Sequence, residues 1–330
     1  VLRNGMCIGC GGCTFAGGGQ MVLDRFGFFS PQVSKDANSD AVALACPFLR
    51  PEWNEDALAD YFLPDTAHRD HQLGKYNQVF AAHVVESDFR RAGSSGGLGS
   101  WLGAEMLRLG MIDGVIHARP VPRDGVESPF FRYGISRTTE ALREAAHSHY
   151  HVVEISSVLA EVKRVPGRYL FIGIPCMVKA LRRAQLADED IAERVVHTVA
   201  LVCGHLKSVH WALSLGWGAG VAPQDISAIH FRVKSKNVPA KSYFFSVTDR
   251  KTGRETTHDS SAITGGKFNL GAMMPEACNY CDDVVGETAD ITIGDAWLPR
   301  FAFDWRGKNM IVSRHPAFDT LIAKASAEGR

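Results

Sequence analysis

Apolar positions change their period along this chain. Between residues 78 and 203, short runs dense in Val, Ile, Leu and Phe alternate with stretches whose apolar residues recur every three or four positions. The runs QVFAAHVV (78–85), DGVIHAR (113–119), RYLFIGIP (168–175) and ERVVHTVALVC (193–203) predict strands. Helices are predicted for GGLGSWLGAEMLRLGM (96–111), RTTEALREAAH (137–147), SSVLAEVKRV (156–165) and CMVKALRRAQ (176–185). Strands alternating with helices predict an α/β domain with a mostly parallel sheet. After residue 225 the period falls to two, in AIHFRV (228–233) and KSYFFSVTDRKTGRET (241–256), which predicts an antiparallel part turning at Arg250 to Gly253.

The first 50 residues read differently. Two short apolar runs are interrupted at Asp24 to Gly27, the pattern of a hairpin in a small module. Residues 51–77 are polar, carry Pro51 and Pro64, and predict a connector with a short helix. The expected division is therefore a module at 1–50, a connector at 51–77 and a large α/β (α+β overall) domain at 78–330. A chain of 330 residues can bury cores of this size without disulfides.

Charge narrows the function. Lys plus Arg and Asp plus Glu are 36 each, so no net polyelectrolyte attraction to nucleic acid exists. No apolar run reaches the roughly 18 residues of a spanning helix. These features predict a cytoplasmic protein with no membrane span.

The eight cysteines are grouped, and residues 47–175 contain none. Cys7, Cys10 and Cys13 repeat at three-residue spacing among Gly9, Gly11 and Gly12, and Cys46 is followed by Pro47. This is the ligand run of bacterial ferredoxins, with the closing Cys-Pro displaced, so the hairpin must bring Cys46 back to the other three. The reading is a ferredoxin-like 4Fe-4S module; the alternative is a structural zinc, which also uses paired cysteines with a long spacer. Cys176 follows one predicted strand and Cys203 ends another, so both fall at the carboxyl edge of a parallel sheet, where such sheets place ligands. With Cys278 and Cys281 of CNYC they form a second tetrathiolate site.

The series CIGCGGC, CP, RAGSSGG, GIPCMVKALR, LVCGH and CNYC followed by ADITIGDAW resembles the coenzyme F-420 hydrogenase/dehydrogenase beta subunit family. It is similar also to 7-hydroxymethyl chlorophyll a reductase and to ferredoxin-dependent divinyl chlorophyllide 8-vinyl reductase. The resemblance implies an iron-sulfur flavoprotein oxidoreductase with FAD. Electrons from a low-potential donor such as ferredoxin would pass through two 4Fe-4S clusters and FAD to an organic two-electron acceptor: a deazaflavin, a tetrapyrrole or another compound. A flavin suits the residues as well, since it joins one-electron and two-electron chemistry.

The flavin site is expected at Gly93, Ser94, Ser95, Gly96 and Gly97, where unhindered amides and a helix start can face phosphate oxygens, with Arg90 and Arg91 adding charge. An ordinary N-cap explains the same residues. Arg232 and Lys234 share one strand face, and with Asn237 and Lys267 they are cofactor candidates on the resemblance, or else a solvated face. His147, His149 and His151 are read as capping residues or as a proton donor near the flavin, with His149 or His151 the general acid. Two other roles stand beside the redox enzyme. One is an electron-transfer beta subunit of a larger hydrogenase or dehydrogenase complex reacting with a deazaflavin, as homo-oligomer or complex subunit. The other is a zinc-stabilised, non-enzymatic scaffold.

Overall fold

The structure, a computed structural model, describes residues 1–236, 238–301 and 303–330. Its strands are β1 (Gly19–Leu23), β2 (Phe29–Val33), β3 (His68–Asp70), β4 (Gly74–Tyr76), β5 (Gln78–Ala82), β6 (Gly114–Pro120) and β7 (Phe131–Ser136). They continue with β8 (Tyr169–Gly173), β9 (Val195–Leu201), β10 (Ile226–Val233), β11 (Phe244–Asp249), β12 (Glu255–Asp259), β13 (Ile291–Asp295) and β14 (Asn309–Ser313). A seven-stranded sheet in the order β5-β14-β13-β9-β8-β6-β7 forms the centre of an α/β fold.

The parallel part of this sheet is its middle, β13-β9-β8-β6. Strands β14 and β5 on one side and β7 on the other extend it antiparallel. Strand β8 is buried throughout, as expected of a strand covered on both faces. One face packs Leu102, Met106, Ile293 and Phe318; the other packs Phe171, Met177, Val178 and Trp211. Helices such as Leu98–Arg108 and Pro175–Ala187 supply these residues at helical spacing. The expected hairpin after residue 225 is present as β11 and β12, which join β10 in a separate three-stranded antiparallel sheet.

In the N-terminal segment β1 and β2 pair as a hairpin. Asp24 Oδ1 accepts from the amides of Phe26 (2.8 Å) and Phe28 (3.0 Å), which closes the turn. Ile8, Cys10 and Phe29 join the same core as Phe171 and Met177, so this segment shares apolar contacts with the sheet's helices. Arg183, on helix Pro175–Ala187, is wholly buried. Its guanidinium donates to the carbonyls of Leu44 (2.5 Å), Leu49 (3.0 Å), Trp53 (3.1 Å), Ala43 (3.2 Å) and Arg50 (3.3 Å). One side chain thereby bonds five carbonyls of the segment from Ala43 to Trp53.

No helix among the described residues is long and apolar enough to cross a membrane.

Candidate functional site

Cys7, Cys10, Cys13 and Cys46 line one recess, although 33 positions separate the last from the third. Helix Ser39–Ala45 delivers Cys46 at its end; Asn38 starts it by accepting from the amides of Asp40 (2.9 Å) and Ala41 (3.3 Å). Opposite, the cysteine loop coils closely. A Cβ at Gly9 would lie 2.5 Å from Phe29 O, and one at Gly12 2.7 Å from Ala45 O. The Gly9 amide points at Cys7 Sγ (3.4 Å). Burial, then the neighbouring thiols Cys46 and Cys7, push Cys13 up to about 11. Cys7 and Cys10 are raised as well, with burial again the first cause.

The second quartet stands where parallel strands end. Strand β8 leads into helix Pro175–Ala187 and its Cys176, and the parallel β9 leads to Cys203. Strand β9 is fixed to the chain before β13, because Asp290 accepts from Thr198 N (2.6 Å) and from Arg182 (3.1 Å). Cys278 lies on a 3-10 turn, Glu276–Tyr280, and its sulfur receives the Leu206 amide at 3.3 Å. Burial, then Cys203, Cys278, Cys281 and finally Cys10, raises Cys176 well above the ordinary thiol range. Burial, then Cys278 and Cys281, pushes Cys203 up to about 12. Cys176 and Cys278 pack against the apolar core that contains Cys10, so the two quartets border one core.

Thiols packed together out of water oppose one another's ionisation, and a bound cationic centre removes that obstacle. The donor sets, with amides aimed at Cys7 and Cys278, fit groups that take thiolate ligands. Among the described residues, no three Cys, His, Asp or Glu side chains converge on the point a single ion would occupy.

A cavity of about 350 Å³ lies beside the glycine-serine run. Gly93, Arg91, His147, His230, Arg232 and Lys234 line it, with Ser246, Glu255 and Trp305. Arg232 is 6% exposed and pairs with Asp295 at 2.8 Å, yet its Nε has no partner among the described residues. Lys234 Nζ donates to the carbonyls of Arg90 (2.7 Å), Arg306 (2.7 Å) and Ser95 (2.9 Å), so it ties the glycine-serine run to the turn before β14. Burial, then Arg232 and Arg90, brings its ammonium down to about 7.

The other expected residues are placed as follows. Ser94 Oγ accepts the Ser148 amide at 2.7 Å and Ser95 Oγ donates to Lys308 O at 2.9 Å, so both hydroxyls are engaged within the fold. Arg90 is buried and bound to Asp304 (2.6 Å) and Gly307 O, which makes it part of the framework, not a free charge. Gly96 and Gly97 press against backbone. Lys267 is exposed at the turn Phe268–Leu270 and is not among the cavity's lining residues. Asn237 lies outside the described residues.

The histidines divide. His151 is buried, its Nδ1 donating to Val152 O (2.5 Å) and its Nε2 accepting from Phe130 N (3.3 Å). Burial brings it down to about 4, and with both nitrogens occupied it has none left for a substrate proton. His149 stacks on Phe131 at 4.2 Å, bonds Ala145 O at 3.3 Å, and is brought down by burial to about 3. These two are framework histidines as the structure stands. His147 and His230 instead line the cavity, their rings 5.6 Å apart. The alternation already visible at Arg232 and Lys234 includes His230, and that signal was available in the sequence.

Gly97 has φ 91°, and a Cβ there would lie 2.7 Å from Arg90 N and from Phe89 C. Gly97→Ala is expected to cost about 2–4 kcal/mol through left-handed strain and backbone overlap. Gly99→Ala, with nothing within 4 Å, is expected to be neutral or stabilising. Urea midpoints of the two variants check the contrast.

Fold and site together define an α/β protein with two groups of cysteines, one in its N-terminal segment and one that includes Cys176 and Cys203 at the ends of parallel strands. Residues 79–160 match the N-terminal family of the coenzyme F420 hydrogenase/dehydrogenase beta subunit, and residues 167–330 match the family of its C terminus. The chain belongs to the coenzyme F420 hydrogenase/dehydrogenase beta subunit family. A solved structure with a similar fold is a chain of the xenon-derivatised F420-reducing [NiFe] hydrogenase complex from Methanosarcina barkeri. It shares 21% identity at a TM-score of 0.59, over 80% of this chain and 83% of that one. No protein with a curated description matches.

Proposed function

We propose that this chain is an electron-transfer beta subunit of a hydrogenase or dehydrogenase complex, with a deazaflavin as its two-electron partner. Cys7, Cys10, Cys13 and Cys46 would hold one 4Fe-4S cluster, and Cys176, Cys203, Cys278 and Cys281 a second. FAD would lie against the glycine-serine run. Bound there, these groups supply one-electron carriage and its conversion to hydride chemistry. The chain's own part is positioning. The Gly9 and Leu206 amides aim at sulfur, the shared core keeps water from Cys10 and Cys176, and Lys234 and Arg90 fix the glycine-serine run.

The observation that carries this reading is the meeting of eight cysteines, distant in sequence, in two quartets that border one core. A second reading, a free-standing reductase fed by ferredoxin, draws on the first quartet. Its four cysteines all precede residue 79, outside the ranges matched by the family, and so suit a separate electron entry.

The test is an anaerobic preparation of the chain, assayed for iron, sulfide and flavin and then mixed with reduced deazaflavin coenzyme. Bleaching of the flavin by the deazaflavin without any other subunit is the expected result. Iron-containing protein that ignores the deazaflavin but is reduced by ferredoxin would replace the first reading with the second. Colourless protein carrying zinc would end both.

A further inference from the structure

Lys207 is wholly buried, and among the described residues no carboxylate pairs with it. Its Nζ donates to Ala272 O at 2.8 Å and lies 5.1 Å from the ring centres of Trp211 and Phe268. One carbonyl and two ring faces offset only part of the cost of taking an ammonium out of water. A lysine left in that position points to an anion that it serves.

Its place in the chain names the anion. Lys207 ends the short segment that begins at Cys203: His205 stacks on Phe268 at 4.2 Å, the Leu206 amide bonds Cys278 Sγ at 3.3 Å, and Lys207 follows directly. Phe268 and Ala272, which hold the ammonium from the other side, belong to the loop that leads into Cys278. The cation therefore sits where the two stretches of chain that deliver Cys203 and Cys278 are joined. Burial brings it down to about 8, with Cys278 acting in the opposite sense, so it is charged at neutral pH. Nearby acidic residues have the other sign. Asp282, exposed, and Asp283, buried, directly follow Cys281.

Reduction of an iron-sulfur centre adds one negative charge to a group already made negative by four thiolates, and the charges around it set how readily that happens. We propose that Lys207 is the counter-charge of the second cysteine quartet: its ammonium stabilises the added electron there and raises the reduction potential of that centre. The proposal rests on the reading of Cys176, Cys203, Cys278 and Cys281 as cluster ligands. A unit charge roughly 10 Å from a one-electron centre shifts its equilibrium about tenfold under the effective screening of a protein interior.

The test uses the full chain, prepared anaerobically with iron and sulfide, reduced stepwise with dithionite and followed by electron paramagnetic resonance. In Lys207→Met, one cluster is expected to show an about tenfold lower ratio of reduced to oxidised form at a fixed potential, a shift of about 59 mV for one electron. The other cluster should not move. The shift should persist when Cys10→Ser is added and vanish when Cys176→Ser is added. Lys251→Met, which removes an exposed charge from the turn between β11 and β12, should move neither cluster.

Full iron and sulfide with both potentials unchanged in Lys207→Met overturns the role of the lysine and leaves the cluster reading intact. A shift confined to the first cluster overturns it equally. Loss of half the iron in both Lys207→Met and Lys207→Gln makes the lysine a requirement of folding and overturns the counter-charge. Unaltered protein that takes up no iron overturns the cluster reading, and this assignment with it.

Discussion

Arg183→Met is expected to loosen the first 50 residues from the rest of the chain at a cost of about 3–5 kcal/mol. The side chain is fully buried, and it is the common donor to five backbone carbonyls between Ala43 and Trp53. Methionine fills much of the volume but donates nothing, so the five carbonyls lose their common donor. The measurement is limited proteolysis alongside urea unfolding. Cleavage within residues 51–77 should appear at protease levels that leave the parent intact, and Arg183→Lys should fall between the two, since an ammonium can satisfy some of the acceptors. Unchanged proteolysis in the methionine variant would show that the shared core around Ile8, Cys10 and Phe29 suffices to hold the segment.

Cys10→Ser is expected to remove about half of the iron and acid-labile sulfide from anaerobically reconstituted protein, because a cluster with one of four thiolates replaced by a weaker ligand is not retained. Cys176→Ser should remove the other half. The two variants are expected to differ in a further respect. The Cys10 side chain is buried in the apolar core, whereas Cys176 is only partly buried against it, so the more polar serine at position 10 also lowers thermal stability. Full iron content in both variants would disprove the assignment of these thiols as ligands.

The alternating core was legible because strands such as β8 are continuous apolar runs and helices such as Ser156–Arg164 keep a strict apolar period. Strands β7, β13 and β14 were harder to read. Threonine, glycine and asparagine interrupt β13 and β14, and the burial that makes them strands comes from neighbours far along the chain. The cysteines were readable by count and spacing, since thiols in such clusters have few other uses. The cavity was not. Whether a histidine faces a cleft or the core depends on the turn before it, and AHSHYH places His147 outward while His149 and His151 pack against Phe131 and Phe130. Arg90 shows the same limit, because the partner that fixes it, Asp304, lies more than 200 positions away.

The eight thiols are not equally sheltered: Cys281 is exposed and Cys10 is buried, with the other six between them. Attack by air or an alkylating reagent follows access to the sulfur. Damage to the metal-free chain should therefore begin at the CNYC corner and reach the innermost sulfur last, so that ageing protein loses its two quartets in sequence and not together.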